Sequence, residues 1–297
     1  MVHLIGYLKR KKREFCQWKH VFAERIIYFR EYLSTHGYIY VDISIPYKIK
    51  DNYNWGDDVN RVLIEFISGK KIIPARCKSM SHPHYICIGS VLQWYADKNA
   101  IVWGTGLIKK TEVKECRRIC AVRGPLTRQE LIRQGHSCPE VYGDPALLFP
   151  RYYNPPIKKR FKIGIIPHYS EIDKPIVKQL IQQQGFHFIN IKHYGKWSNF
   201  IDEILSCEYI ISSSLHGCII SDAYNIPNIW CKFSEYEAEG DWFKFKDYYQ
   251  SVHKKIEYPI FISKESNKDS IINRIIQEWT KNDIDLDLLM KACPFVK

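Results

Sequence analysis

The chain has 297 residues, of which 45% are hydrophobic and 26% charged, so it suits two globular domains and not a disordered or fibrous protein. Its formal net charge of +12 points to an anionic partner, which can be nucleic acid, a membrane surface or an anionic substrate. No apolar run reaches the ~18 residues that a membrane span needs. The ten cysteines form no CxxC pair, which favours core thiols in the cytoplasm over a zinc site or disulfide framework.

The first 36 residues are basic and aromatic, with Lys9-Arg10-Lys11-Lys12-Arg13 followed by Phe15, Trp18 and Phe22. Cations interleaved with aromatic side chains suit a segment that lies on an anionic membrane surface. The same pattern also suits a basic helix that packs its aromatic face onto the first domain. Both interpretations stay open, and the first places the protein in the cytoplasm, peripherally on the inner face of the cell membrane.

From residue 37 to 153 the pattern alternates strand, loop and helix. Strands are predicted at 38–43, 85–88, 100–103 and 118–122, and helices at 59–67 and 125–133. Pro125 suits a first helical turn, and Gly135 suits a helix C-terminus. The run Arg151 to Arg160, with Asn154-Pro155-Pro156, interrupts the alternation and is predicted to be a linker between domains.

A second alternating series fills residues 154–297. It predicts strands at 162–166, 186–191, 209–211 and 228–231, helices at 174–184 and 199–207, and one amphipathic helix at 271–291 that crosses back onto the first domain. Strands that alternate with helices are typical of parallel sheets. The predicted fold is therefore α/β, with two doubly wound Rossmann-like domains that face each other across a cleft.

The loop with the clearest chemistry is Ser212-Ser213-Ser214-Leu215-His216-Gly217, between an apolar strand and a helical pattern. Ligands of open α/β sheets lie beyond the carboxyl ends of the strands, and helix N-termini bind anions. An imidazole of near-neutral pKa at such a junction can serve as a general acid. A buried histidine with only a structural role is the alternative.

Other predicted strand ends also carry polar residues. Arg123 lies at a predicted solvated strand end, where its guanidinium group can bind a carboxylate or phosphate. The alternative is that it forms an ion pair with Asp144. Of Asn54, Asp57 and Asp58, we expect one aspartate to cap the following helix and the other to be available as a base. Gly104-Thr105-Gly106 lacks the third glycine of a dinucleotide-binding loop. Gly143-Asp144-Pro145 can equally be a functional loop or a simple turn.

Taken in order, the loops of residues 54–249 resemble those of the polysaccharide pyruvyl transferase family. The resemblance rests on Asn54-Trp55-Gly56-Asp57, Ile88-Gly89-Ser90, Trp103-Gly104-Thr105-Gly106, Arg123-Gly124-Pro125-Leu126-Thr127, Gly143-Asp144-Pro145-Ala146, Ile165-Ile166-Pro167-His168, Ser214-Leu215-His216-Gly217 and Lys244-Phe245-Lys246-Asp247-Tyr248-Tyr249. It implies a two-domain, GT-B-like transferase. Such an enzyme moves the pyruvyl group of phosphoenolpyruvate onto two hydroxyls of a lipid-linked or oligosaccharide acceptor and releases phosphate, with no metal and no organic cofactor.

The resemblance also implies roles for individual residues. His216, Arg123 and Asp57 are the expected catalytic residues. The expected donor contacts are Arg123, Arg128, His168, Ser213, Ser214, Leu215, Lys232 and Lys244. The expected acceptor contacts are Asn54, Gly56, Asp58, Gly104, Thr105, Gly106 and Asp144. The chain departs from the family at Ser214, where many members have arginine, and at Tyr236, where some have lysine.

Two other functions remain open on the sequence. A GT-B glycosyltransferase that uses a nucleotide sugar would need a carboxylate for the donor ribose, for which Glu235 and Glu237 are candidates. A basic, non-catalytic module for membrane or nucleic acid would explain the charge but not the ordered glycine loops. We therefore expect no nucleic-acid partner.

Overall fold

The structure is a computed structural model that describes residues 37–43, 54–77, 82–234 and 241–296, together with Phe22, Ile26 and Tyr28. Apart from those three residues, the basic aromatic segment 1–36 lies outside the described residues, as do Glu235, Tyr236 and Glu237. Within the described ranges, no helix has the length and hydropathy needed to cross a membrane.

Five parallel strands form the first sheet, in the order β2-β1-β3-β4-β5. They are β1 (Tyr38–Val41), β2 (Lys71–Pro74), β3 (His84–Ile86), β4 (Ala100–Trp103) and β5 (Arg118–Ala121). Their central side chains, such as Val41 and Val102, are fully buried. Such apolar strands are typical of parallel sheets that are covered on both faces.

A second sheet of five parallel strands has the order β10-β9-β8-β6-β7. Its strands are β6 (Phe161–Ile166), β7 (Phe186–Phe188), β8 (Cys207–Ser212), β9 (Asn228–Lys232) and β10 (Ile260–Phe261). Counted from its own first strand, each sheet has the doubly wound order 2-1-3-4-5. Each therefore has a topological switch point between its first and third strands, which is where such sheets bind ligands.

Helices connect the strands in both halves. In the described ranges they are α1 (Trp55–Ser68), α2 (Leu92–Tyr95), α3 (Pro125–Arg133), α4 (Pro175–Leu180), α5 (Trp197–Leu205), α6 (Leu215–Ala223), α7 (Asp241–Ser251), α8 (Lys268–Glu278) and α9 (Leu286–Lys291), with 3-10 turns at Ala75–Cys77 and Pro145–Arg151. Helix α1 buries Val59 and Leu63 on one face and ends at Gly69, whose φ of 64° is the left-handed conformation that glycine adopts readily.

The two halves meet at α1 and the loop after β7. The backbone N–H of Trp55 donates to the carbonyl of Ile191 at 2.9 Å, and its indole N–H donates to the carbonyl of Trp197 at 2.8 Å. The Trp55 ring stacks on Phe200 with centroids 4.7 Å apart. The first turn of α1 is therefore fixed against the second sheet.

The C-terminal segment packs against the first sheet. The indole N–H of Trp103, at the end of β4, donates to the carbonyl of Leu289 on α9 at 3.0 Å. The ring of Phe295 lies 4.6 Å from the ring of Tyr85 on β3. The last residues of the chain thus help to bury the carboxyl end of the first sheet.

Several predicted elements are confirmed, including the strand Ala100–Trp103 and the helix Pro125–Arg133 with the predicted bounds. The single helix predicted at 271–291 is wrong, because Asp285 accepts from the N–H groups of Asp287 and Leu288 and starts a separate helix. The predicted start of the first helix at Val59 is also wrong, since α1 begins at Trp55. Strands β2 and β10 and helices α2 and α7 were not predicted.

Candidate active site

The turn between β8 and α6 is fixed by its serines. The hydroxyl of Ser212 hydrogen bonds to the carbonyl of Ile166 at 3.0 Å and accepts from the N–H of Ser214 at 3.1 Å. The hydroxyl of Ser213 accepts from the N–H of His168 at 2.7 Å, which joins the loops after β6 and β8. His168, Ser213 and Ser214 therefore converge at the switch point of the second sheet; their role as donor contacts stays a prediction.

His216 lies in the first turn of α6, at the contact between the two halves. Its side chain is nearly buried, and Gly56 of α1 packs against one face of the ring, over Nδ1. A Cβ atom added to Gly56 would lie 2.0 Å from Nδ1 of His216. Only glycine allows α1 and the imidazole to approach this closely.

The surroundings of His216 disfavour a positive charge on its ring. Burial, and then the cations of Arg123 and Lys244, lower the pKa of His216 to about 3. The near-neutral pKa expected from the sequence is therefore wrong for this site, and the imidazole is neutral at physiological pH. Cations that surround a neutral imidazole favour the binding of an anion.

Asp144 faces the other nitrogen of the same ring. It caps the turn Pro145–Arg151 through Oδ1, which accepts from the N–H of Ala146 at 2.9 Å. Its Oδ2 lies 3.8 Å from Nε2 of His216, and in the part of the chain that the structure describes neither of these buried atoms has a hydrogen-bond partner. Burial raises the pKa of Asp144 to about 7, although the bond from Ala146, the charge of Arg123 and the nearby backbone N–H of Gly89 lower it; the contact with Gly89 is too weak to count as a hydrogen bond to Oδ2.

Arg123 follows β5 and is fully buried. Its Nε donates to Oδ2 of Asp247 at 3.0 Å, its NH2 group donates to the carbonyl of Leu107 at 2.7 Å, and its NH1 group donates to the hydroxyl of Ser90. The solvated strand end expected from the sequence is therefore wrong, and the ion-pair partner is Asp247 instead of Asp144. Arg123 acts on His216 through its charge while it holds α7 to the first sheet.

Comparison with known proteins identifies the family of the chain. The sequence profile of the family described as polysaccharide pyruvyl transferase matches residues 26–235. The chain belongs to this family. The matched range contains both switch points and ends before α7, so Lys244 and Asp247 lie beyond it.

Two curated relatives match over most of the chain. An uncharacterised protein of Acanthamoeba polyphaga mimivirus is 30% identical over 224 residues, which are 73% of this chain and 75% of the relative. The succinoglycan biosynthesis protein ExoV of Rhizobium meliloti (strain 1021) is 26% identical over 211 residues, 67% of this chain and 61% of ExoV. Among solved structures, a functionally uncharacterised protein of Klebsiella pneumoniae subsp. pneumoniae NTUH-K2044 aligns with a TM-score of 0.45 at 12% identity, over 80% of this chain and 96% of its own.

The two lysines expected to contact the donor lie on β9 and α7. Lys244 is nearly buried and close enough to His216 to lower the pKa of the imidazole. Lys232 is also buried, and its Nζ lies 5.8 Å from the ring centroid of Trp242. Of the two lysines, Lys244 is the one whose charge acts on His216.

The loop before α1 differs from its prediction in one respect. Asn54 caps the helix, since its side chain accepts from the N–H of Gly56 at 3.3 Å, so the expectation that an aspartate is the cap is wrong. Asp58 accepts a short hydrogen bond from the hydroxyl of Tyr194 in the second half. Burial, and then the charge of Asp58, raise the pKa of Asp57 to about 6.

Four of the expected contact residues, Gly104, Thr105, Gly106 and Arg128, have partners within the first half of the chain. Gly104, Thr105 and Gly106 are buried, and the Thr105 hydroxyl donates to the carbonyl of Gly89 at 2.8 Å, so these residues pack the interior behind the loop of Gly89; their contact with an acceptor stays a prediction. Arg128 donates through Nε to the carbonyl of Cys138 at 3.2 Å. It supports the loop before Gly143 and makes no hydrogen bond to His216 within the described ranges.

Sequence reasoning gave no role to Asp247 or Asp222. Asp222, on α6, is almost fully buried and accepts from Lys254 Nζ at 2.5 Å, Asn228 Nδ2 at 2.6 Å and the Tyr248 hydroxyl at 2.8 Å. These bonds fix the His216 helix to β9 and α7. The sequence did carry a signal for the role of Asp222, because its carboxylate lies within the apolar run Cys218 to Ala223. A charge that is buried in this way requires partners.

Proposed function

We propose that this protein transfers the pyruvyl group of phosphoenolpyruvate onto two hydroxyls of a sugar and releases phosphate. The product would be a 4,6-ketal on a galactose-type residue of a lipid-linked exopolysaccharide or capsule repeat. Membership of the polysaccharide pyruvyl transferase family supports the reaction class. The observation that carries the proposal is a buried imidazole at a helix N-terminus, with the cations of Arg123 and Lys244 beside it.

The donor's chemistry fits these surroundings. Phosphoenolpyruvate carries a carboxylate and a phosphate, which the first-turn amides of α6 and the ammonium group of Lys244 can bind. The negative charges of the bound donor would oppose the effect of the two cations on His216 and so favour protonation of the imidazole.

The reaction needs an acid and a base at this point. His216 would protonate the methylene carbon of the enolpyruvyl group, which creates an oxocarbenium-like centre at C2. Asp57, whose pKa is raised to about 6, would be mostly ionised at neutral pH and could accept the proton of an attacking hydroxyl.

The test is incubation with phosphoenolpyruvate and a panel of lipid-linked and synthetic α- and β-galactosides. We expect phosphate release together with an acceptor mass gain of one pyruvyl ketal. His216→Ala should lower kcat by at least about 100-fold, since general acid catalysis contributes 10²–10⁴-fold. His187→Ala is the matched control. Nε2 of His187 also lies 3.8 Å from a carboxylate, that of Glu203, but His187 lies on β7 and not in the loop after β8.

Two results would contradict the proposal. One is near-wild-type turnover by a folded His216→Ala protein. The other is transfer from a nucleotide sugar such as a UDP-sugar, tested with the same acceptors, without any reaction of phosphoenolpyruvate. That outcome would favour the glycosyltransferase alternative.

We also propose peripheral contact with the anionic inner face of the cell membrane, where lipid-linked glycans are assembled. The support is the basic aromatic sequence of residues 1–36, in which each cation near the surface can contribute about 1 kcal/mol. Deletion of residues 1–21, which precede the range that matches the family, should weaken binding to anionic liposomes and leave turnover of a soluble acceptor largely intact. Unchanged liposome binding would refute this part of the proposal.

A further inference from the structure

The pairing of Asp144 with His216 goes beyond the role in acceptor binding that the sequence suggested for Asp144. Oδ2 of Asp144 and Nε2 of His216 are both buried, lie 3.8 Å apart and are without hydrogen-bond partners within the described residues. A buried polar atom without a partner costs about 1–3 kcal/mol. Two such atoms that face each other across one short gap suggest that a proton passes between them.

We propose that Asp144 and His216 form one acid–base unit, in which the buried carboxyl group stores the proton that the imidazole delivers to the donor. This inference rests on the proposed function, and it assigns Asp144 a positioning role that acts through His216. His216 remains the residue that contacts the substrate.

The surroundings of the two groups favour this distribution of the proton. The pKa of Asp144 is raised to about 7, so its carboxyl group retains a proton near neutral pH, whereas the pKa of His216 is lowered to about 3. Opposite shifts in adjacent titratable groups separate an acid from a base. The charged groups that act on the pair are Arg123, on both members, and Lys244, on the imidazole; Cys87 and Tyr248 also lie near Asp144.

The unit explains how a neutral imidazole can deliver a proton. When the anionic donor binds, the Asp144 proton moves to Nε2 of His216, and the hydrogen on Nδ1 is given to the methylene carbon of phosphoenolpyruvate. The first sugar hydroxyl then forms a bond to C2 and gives its proton to Asp57.

The second half of the reaction restores the starting state. The bond between C2 and the phosphate oxygen breaks, and phosphate leaves with the proton held by Asp57. The second hydroxyl bonds to C2, its proton goes to Nδ1, and Nε2 returns a proton to Asp144. Of the two hydroxyl protons, one leaves with phosphate and the other replaces the proton that was given to the methylene carbon. No oxidant or reductant is needed.

The deciding variant is Asp144→Asn, which retains an oxygen for the N–H of Ala146 but cannot supply a proton. We expect kcat with phosphoenolpyruvate to fall by at least about 100-fold and KM to change by less than about threefold. Asp202→Asn is the matched control, since Asp202 accepts a 2.7 Å hydrogen bond from Tyr153 outside the site. A kcat of Asp144→Asn within about threefold of wild type would overturn the proposal.

A second measurement needs no substrate and separates this proposal from the proposed function. In ¹⁵N spectra of the histidine rings, with His216 assigned by its loss in His216→Gln, the wild-type signal should show an inflection near pH 7 as Asp144 ionises. The inflection should be absent in Asp144→Asn and present in Asp202→Asn.

A wild-type His216 signal that is flat between pH 5 and 9, or an inflection that persists in Asp144→Asn, would overturn the coupling of the two groups. If the inflection behaves as expected but no acceptor yields phosphate, the coupling is supported and the proposed function fails.

Discussion

At the scale of single residues, the contact between Gly56 and the ring of His216 joins the two halves of the molecule. His216, His168 and Gly56 were all placed at strand ends or loops, and the structure brings His216 and Gly56 into contact. The sequence could not show that His216 would be buried beside two cations, because Arg123 and Lys244 come from distant elements. The burial of a side chain and the charges around it are properties of the tertiary structure.

Substitution of Gly56 tests this contact. In Gly56→Ala, the added methyl group would lie 2.0 Å from His216 Nδ1, so the ring or α1 must move, at a cost of about 1–3 kcal/mol. In a His216→Ala background the same change should stabilise the protein by up to about 1 kcal/mol, because alanine favours a helix over glycine. Urea unfolding of wild type, both single variants and the double variant measures this reversal of sign. An equal penalty in both backgrounds would show that the ring is not the obstacle.

The raised pKa of Asp144 predicts a pH dependence of stability. Since the pKa rises from 3.8 to about 7 on folding, the folded state binds more protons between these values. The contribution of Asp144 to stability is therefore complete below pH 3.8 and is lost as the pH rises through about 7. Asp144→Asn has no ionisable group at this position and so cannot lose this contribution. As the pH rises from 4 to 8, the free energy of unfolding of wild type should fall relative to that of Asp144→Asn by up to about 4 kcal/mol. This figure uses about 1.4 kcal/mol for each tenfold change in proton affinity.

Denaturant unfolding of both proteins at several pH values measures the difference. His216, whose pKa is lowered, acts in the opposite direction, and because the two groups are coupled, the same comparison in a His216→Ala background isolates the contribution of Asp144. A difference in the free energy of unfolding that is independent of pH would contradict the assigned protonation of Asp144.

At the scale of secondary structure, elements with strong local signals were predicted and those fixed by tertiary contacts were not. Helix α3 combines Pro125 in its first turn with Gly135 after its end, so its bounds follow from local rules. Helix α7 has only a weak amphipathic pattern in Trp242-Phe243-Lys244-Phe245-Lys246, and strand β10 has two residues. These elements depend on contacts such as the bond between Asp247 and Arg123, which local sequence does not encode.

The link between β5 and α7 gives a stability prediction that differs from the one based on sequence. Arg123→Ala would leave the carboxylate of Asp247 buried without its ionic partner, although Thr127 still donates to it at 2.7 Å and 2.8 Å. Loss of one partner of a buried ion pair costs about 3–5 kcal/mol. We expect Arg123→Ala to lose this much stability and to lose activity as a consequence.

The matched control is Arg151→Ala, since Arg151 forms a surface ion pair with Asp287 at 2.7 Å. Such an exposed pair contributes between about 0 and 1 kcal/mol. Chemical denaturation compares the two variants directly. Equal effects would mean that the Arg123–Asp247 pair does not secure α7.

At the scale of the whole molecule, alternation of strands and helices was enough to predict an α/β fold with parallel sheets. The order of strands was not predicted, because periodicity in a sequence identifies strands but not their neighbours. The identical order of the two sheets bears on where a ligand can bind. It gives each half a switch point, and contacts such as Gly56 with His216 bring the two switch points together.

The C-terminal helix contributes to this arrangement from outside both sheets. Leu289 is fully buried, and a Cβ atom added to Gly143 would lie 2.9 Å from its Cδ2. Gly143 immediately precedes Asp144 and has a φ of 131°, a conformation that favours glycine. The side chain of Leu289 thus closes the space behind the loop that presents Asp144 to His216.

Leu289→Ala should therefore affect both stability and the site. Removal of a buried leucine side chain costs about 2–5 kcal/mol, because it leaves a cavity that the surroundings fill only in part. Leu288→Ala is the matched control. The side chain of Leu288 is 42% exposed, so its removal should lower the free energy of unfolding by less than about 0.5 kcal/mol. Thermal and urea unfolding give the stabilities, and the ¹⁵N signal of His216 reports on the Asp144 loop. A His216 signal that titrates as in wild type despite the lost stability would show that α9 supports the fold but not the position of Asp144.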